Sequence, residues 1–94
     1  MSEYKITDYT YEKAKELGVK IKPSHKKHKK IDVFDWNGNY ICSIGDKRYS
    51  DYPTYKEEEG DVYADKRRQL YWIRHRKDAN KIGSAGYYSA NLLW

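Results

Sequence analysis

The stretch that decides the fold is KKIDVFDWNGNYICSIGD, residues 29–46. Ile31-Asp-Val-Phe-Asp35 alternates apolar with polar side chains, Asn37-Gly38 follows, and Tyr40-Ile-Cys-Ser-Ile44 returns. An Asn-Gly pair between two β-rich runs is the strongest short-range signal for a hairpin. Both central residues of the expected type I′ turn need positive φ, which Asn and Gly tolerate best. Trp36 falls at the turn shoulder or in a bulge. Ile31 and Val33 point to one face. Ile41 is out of phase with Tyr40, Cys42 and Ile44, so the pattern does not fix which face of the return strand is core.

Working outward, Val19 to Lys22 alternates apolar and basic residues and reads as a third strand ended by Pro23. Upstream, YEKAKEL at 11–17 carries Tyr11, Ala14 and Leu17 at three-residue spacing. That predicts a short helix, capped by Thr10 or Asp8 and terminated by Gly18. Residues 1–9 are expected to be a flexible arm. The run 23–30 is expected to be an exposed basic loop. Downstream, Asp51 and Pro53 open a short helix that Gly60 closes. A long helix is predicted from about Asp61 to Asp78, and Ser84 caps a final helix over 87–93. The expected fold is α+β: one small domain over 10–94, with the hairpin packed on the long helix and short helices at either end. Hairpins alone are marginal in water, so that docking is required.

The long helix has an unusual stripe. At about 100° per residue, Tyr63, Ala64, Arg67, Leu70, Tyr71 and Arg74 share one side, with His75 just beyond. Two arginines among the best core residues are expected either to snorkel or pair with a carboxylate, or to grip phosphate oxygens. Trp94 is a structural candidate, because docking Leu92-Leu93-Trp94 would bring its carboxylate near Arg67, Arg74 or His75. The opposite side spreads Lys66, Arg68, Trp72, Arg76 and Lys77. Trp72 beside arginines is a stacking platform for a base or a second packing surface.

Composition bounds the function. The 94 residues hold 19 Lys and Arg against 14 Asp and Glu, a net charge of +5, and 16% aromatics including eleven tyrosines. That many aromatics argues for a packed domain rather than disorder. No apolar run is long enough for a membrane span, and Met1 to Thr10 has no apolar core of a secretory signal. The single Cys42 makes no internal disulfide, which fits a reducing compartment. The charge is segregated. Lys20 to Lys30 has six lysines, two histidines and no acid; Lys66 to Lys77 has six cations, His75 and no acid; Glu57 to Asp65 is acidic. Two basic runs interleaved with aromatics point to a polyanion, most commonly nucleic acid.

Chemistry-bearing patterns are weak. His25, His28, Cys42 and His75 lack zinc-site spacing. A strand cysteine is a poor nucleophile. No glycine spacing makes a phosphate-cradling loop. A small metal-dependent nuclease is a further alternative, with Asp32, Asp35 and Asp46 on or near the hairpin and His75 as base, but Asp32 and Asp35, three apart on a strand, point to opposite faces, which weakens a shared metal site. No catalytic residue, metal or cofactor is expected, and the chain reads as a non-enzyme. The expected phosphate-contacting residues are Lys26, Lys27, Lys29 and Lys30 from the loop, and Arg67, Arg68, Trp72, Arg74, Arg76 and Lys77 from the helix.

Several segments together resemble a known group. VKIKPS (19–24), KKIDVF (29–34), GNYICSIGDKRYSDYPTY (38–55), YADKRRQLYWIRHRKD (63–78) and SAGYYSANLLW (84–94) are similar to small, functionally uncharacterised proteins of large double-stranded DNA viruses of eukaryotes. The closing pattern, carried by Arg67, Arg68, Tyr71, Arg74, His75, Ser84, Tyr87, Tyr88 and Trp94, also looks like short proteins of some tailed phages. The likeness spans about residues 17–94. It implies a viral gene product in the cytoplasm or nucleus of an infected cell, or in the virion, and brings no activity or site residue. The expectation is a small basic viral protein that binds nucleic acid, DNA more than RNA, through phosphates with little sequence specificity. The alternative is a structural or interaction protein that binds a viral or host protein.

Overall fold

The computed structural model describes residues 4–94. The fold is α+β, with five helices and one three-stranded antiparallel sheet among the described residues. Contacts divide the chain into two compact units, Met1–Tyr49 and Ser50–Trp94.

The first unit holds α1 (Asp8–Leu17), β1 (Lys20–Pro23), β2 (Lys29–Phe34) and β3 (Tyr40–Asp46), and its sheet runs in the order β1-β2-β3. Helix α1 starts earlier than the sequence suggests. Its N-cap is Thr7, whose hydroxyl accepts from the Thr10 amide, so neither Thr10 nor Asp8 caps it. Gly18 terminates it at φ 73°, where its amide bonds back to the last turn. The arm predicted over residues 1–9 is corrected in part: Ile6 is buried, and Asp8 and Tyr9 are helical. Its first three residues lie outside the described ones. The basic loop is shorter than 23–30, because Pro23 ends β1 and Lys29 and Lys30 open β2.

The hairpin forms, but around a different turn. Gly38 alone of the turn has positive φ, so Asn37 is not left-handed and the turn is not type I′. The Gly38 amide donates to the Asp35 carbonyl across Trp36 and Asn37, and the Asp35 amide closes the loop on the Asn39 carbonyl. That is a type I turn followed by a glycine bulge, the next commonest hairpin closure. The Asp35 carboxylate accepts from the amides of Asn37 and Asn39 and from the Asn39 side chain.

Register then assigns the two faces. Pairs Ile21–Val33, Pro23–Ile31, Ile31–Ile44 and Val33–Cys42 share one side; Lys20–Phe34, Lys22–Asp32, Asp32–Ser43 and Phe34–Tyr40 share the other. Between Val33 and Phe34 the ladder skips a residue of β3, which is Ile41. This bulge resolves the phase conflict, since it lets Ile44 and Cys42 stay on the apolar face while Tyr40 joins the polar one. Ile6, Ala14, Val19, Ile31, Val33 and Ile44 are buried and make this unit's core.

The second unit is all helical: α2 (Tyr52–Glu59), α3 (Asp61–Arg74), α4 (Arg76–Ala79) and α5 (Ala85–Leu93). Asp51 caps α2 by accepting from the Thr54 amide, and Gly60, at φ 91°, reverses the chain so that α2 and α3 pack together. The predicted long helix is broken at His75, whose φ of -109° and ψ of 20° separate α3 from α4. Ser84 caps α5 through the Tyr87 amide, two residues ahead of the predicted start. Ala64, Ala79, Ala90, Leu92 and Leu93 are buried.

The α4–α5 contact is close enough to require a glycine. A Cβ on Gly86 would lie 2.6 Å from the Asp78 Cβ and 3.1 Å from its carbonyl oxygen. Gly86→Ala should therefore destabilise by about 1–3 kcal/mol, the usual cost of overpacking, although alanine is the better helix former by about 1 kcal/mol. A thermal melt measures it; an unchanged or raised midpoint would show that the two helices separate at no cost.

Candidate nucleic-acid interface

The polar face of the sheet collects cations and rings. Strand β1 is at the edge, and alternation sends Lys20 and Lys22 to the same side as Phe34 and Tyr40. Lys20 Nζ stands 5.2 Å from the Trp36 ring centre, Lys22 Nζ 5.4 Å from Phe34, and Lys26 Nζ 5.7 Å from Tyr40. Trp36 at the turn is 65% exposed, and Tyr40 is also exposed. Phe34 and Tyr40 meet edge to face at 5.9 Å, and His25 adds a third ring 6.1 Å from Tyr40. The result is a run of aromatic rings in which Trp36, Phe34 and Tyr40 are each topped by an ammonium group.

Beneath this surface lies a buried carboxylate. Asp32 sits in mid-β2 and is only 3% exposed. Its Oδ1 accepts from Ser24 Oγ and Ser43 Oγ, both at 2.6 Å. Its Oδ2 accepts from the His25 amide at 3.2 Å and from His25 Nδ1. Tyr40 hydroxyl lies 2.7 Å from Ser43 Oγ, and since Ser43 spends its proton on Asp32, Tyr40 is the donor. Burial pushes the Asp32 carboxyl up, but hydrogen bonds from Ser24, Ser43 and His25 outweigh it and hold the group well below the usual carboxylate range. The network ties the β1–β2 loop down to the sheet. It also fixes His25: a carboxylate only accepts, so Nδ1 carries a proton and Nε2 is the ring's other nitrogen on a largely exposed side chain.

One other group matters for the chemistry. Burial, then the nearby Asp32 charge, pushes the Cys42 thiol up, so it stays protonated and a poor nucleophile. Among the described residues no cluster of three or more His, Cys, Asp or Glu is placed to hold a metal ion. Among the described residues no helix is long and apolar enough to cross a membrane.

The predicted contact residues separate into three groups. Lys26, Lys27 and Lys29 are exposed, as are Arg74, Arg76 and Lys77. Lys30 is not a flexible point charge: it is 4% exposed within β2, with its ammonium 5.2 Å from the Tyr4 ring centre. Arg67 and Arg68 are committed to packing. The Arg67 guanidinium stands 5.5 Å from the Tyr55 ring, and its Nε is buried with no hydrogen-bond partner among the described residues. The Arg68 guanidinium stacks 3.7 Å from the Tyr52 ring centre, and its Nε donates to the Trp94 main-chain oxygen at 2.6 Å. Trp94 therefore docks against the long helix, but its oxygen pairs with Arg68 rather than with Arg67, Arg74 or His75. Trp72 is half-buried.

Sequence reasoning missed Lys20, Lys22, Phe34, Trp36 and Tyr40 as one set. The signal was present in the alternating basic residues of KIK, but only the strand register brings them opposite the aromatic positions of β2 and the turn. Comparison of the chain with family models, curated proteins and solved structures returns no match.

Proposed function

We propose that this chain is a non-catalytic nucleic-acid-binding module that holds phosphates with little sequence choice through the polar face of its sheet. The observation that carries the reading is the set of three lysine–aromatic pairs, Lys20–Trp36, Lys22–Phe34 and Lys26–Tyr40, gathered on one face. Magnitudes favour exchange on that face. An exposed ammonium–ring contact is worth about 0.5–1 kcal/mol, whereas a base stacked on a ring contributes about 1–3 kcal/mol. A bound strand thus replaces each ammonium over its ring with a base, and the released lysine meets the adjoining phosphate. Lys27 and Lys29 add charge at the loop end of the sheet. DNA is the first ligand to test, in line with the resemblance to small proteins of DNA viruses, which also suggests an infected cell or virion as the setting.

The test is a salt titration of binding. With about five phosphates neutralised, the log–log slope should be about -4.5 on duplex DNA and about -3.5 on a single strand. Replacing Lys20, Lys22 and Lys26 together with Gln should flatten the slope by about 2–3 and leave the fold intact. A slope near zero, or no binding at about 50 mM salt, overturns the reading.

A second reading has its own support. The tyrosine-rich chain also exposes apolar side chains along α3, which suits a structural or interaction protein with a viral or host protein partner. Binding of nucleic acid with no salt dependence, combined with salt-insensitive association between proteins, would favour it.

A further inference from the structure

The solvent side of α3 carries an apolar stripe, interrupted by Lys66, where an isolated surface helix would be polar throughout. Val62 is 87% exposed and Ile73 67%, and Tyr63 and Leu70 are also exposed. At about 100° per residue, Val62, Lys66, Leu70 and Ile73 fall within one arc of about 80°, with Tyr63 at its rim and Gln69 at the other. This stripe does not suit a polyanion, which offers few apolar surfaces to cover it.

The charge around the stripe is polarised along the helix. Glu57, Glu58, Glu59, Asp61 and Asp65 are exposed at its N-terminal end, and Arg74, Arg76 and Lys77 are exposed at its C-terminal end. A uniformly acidic partner would be repelled by the first end, and a uniformly basic one by the second. A second copy laid antiparallel satisfies both. We infer that two copies of this chain pair through α3, related by a two-fold axis near the middle of the helix. Val62 of one copy then packs beside Ile73 of the other, Lys66 lies near Gln69 and Leu70, and each acidic end meets a basic end. The helix dipoles oppose, which also favours the antiparallel arrangement. Such an interface is isologous and closes on itself, so it stops at a dimer.

The size of the surface sets the strength. Fourteen residues make a helix about 21 Å long, and one such contact falls at the low end of specific interfaces. The dimer is therefore a weak one, with a dissociation constant of about 10–100 μM, close to -6 kcal/mol.

Sedimentation equilibrium of the full chain from about 1 to 300 μM tests this. The mass should rise from the 11.3 kDa monomer toward twice that value. Val62→Ser with Ile73→Ser should weaken association at least tenfold with no change in the thermal midpoint at low concentration, since both side chains already face solvent. Two charge-reversed variants discriminate further: Glu58→Lys/Glu59→Lys/Asp61→Lys, and Arg74→Glu/Arg76→Glu/Lys77→Glu. Each alone should be monomeric, and an equimolar mixture should associate, because every reversed end finds its complement in the other chain. A wild-type monomer at 300 μM overturns the inference. So does persistent self-association of either reversed variant, or a mixture that stays monomeric while circular dichroism shows both folded.

Discussion

Asp32→Ala is expected to lower stability by about 3 kcal/mol and to release the β1–β2 loop. The substitution leaves the Ser43 hydroxyl buried with its acceptor gone, and it removes the acceptor for Ser24 Oγ, the His25 amide and His25 Nδ1. A hydrogen bond to a charged group contributes about 1.5–3 kcal/mol net, and a buried donor left unpaired costs a further fraction of its desolvation. Asp32→Asn is not a gentle replacement. An amide replaces one acceptor oxygen with an N–H donor, so the two serine hydroxyls must turn to accept and give up the bonds they donate, and the charge that strengthens the remaining bonds is gone. The pH dependence follows from the same network. Because the folded-state pKa of Asp32 is depressed, the folded state binds fewer protons than the unfolded one. Its contribution is fully present above the unfolded value of about 3.9 and is lost as pH falls below it toward the folded value. Asp35, held low first by the Asn39 amide, and Asp46, held down to about 2 first by the Arg48 side chain, carry the same sign. Both are half-exposed and are retained in the variant, so the wild-type-minus-Asp32→Ala difference isolates Asp32. Chemical denaturation from pH 7 to pH 2.5 should show that difference shrinking below about pH 4. A gap that stays constant across the range would mean that the carboxylate's charge contributes nothing and that only its shape is needed.

Local features of the fold were legible because local rules fix them. Asp51, Gly18, Gly60 and Ser84 punctuate helices through bonds to residues three or four away, and the hairpin follows from two alternating runs around Asn37-Gly38. The face of β3 was not legible. One extra residue, Ile41, shifts the alternation, and no rule of composition announces a bulge. The orientation of α3 was misjudged for a related reason. Ranking side chains by hydrophobicity puts Leu70 inside, yet Leu70 is exposed and Arg67 and Arg68 are half-buried. The competing principle is that a guanidinium can stack on an aromatic face, and Tyr52 and Tyr55 provide two such faces. In a chain with eleven tyrosines and few large aliphatics, ring–cation packing takes the place that leucine packing has elsewhere. The Asp32 network was invisible for a third reason. The partners of Asp32 lie seven, eight and eleven residues away along the chain and meet it only once the strands and the β1–β2 loop have folded.

Trp94→Ala is expected to lower stability by about 2–3 kcal/mol and the thermal midpoint by roughly 10 °C. The indole stacks on Tyr71 at 4.5 Å with the planes 8° apart, and it leans on Tyr55 at 6.1 Å. Tyr71 in turn stacks on His75 at 4.4 Å, so the three rings form a column along α3 that ends at the break before α4. Removing the indole uncovers Tyr71, whose hydroxyl donates to Ser89 on α5, and it shifts the main chain whose oxygen holds Arg68. A Phe at 94 separates ring stacking from the size of the indole. It keeps a stacked ring and the main-chain oxygen, so Trp94→Phe should recover well over half of the loss. If Phe is as damaging as Ala, the indole's particular size rather than ring stacking supports the column. If neither variant moves the midpoint, the Arg68 and Tyr71 contacts contribute nothing to folding, and Arg67 and Arg68 regain the role of phosphate ligands that packing against Tyr55 and Tyr52 otherwise denies them.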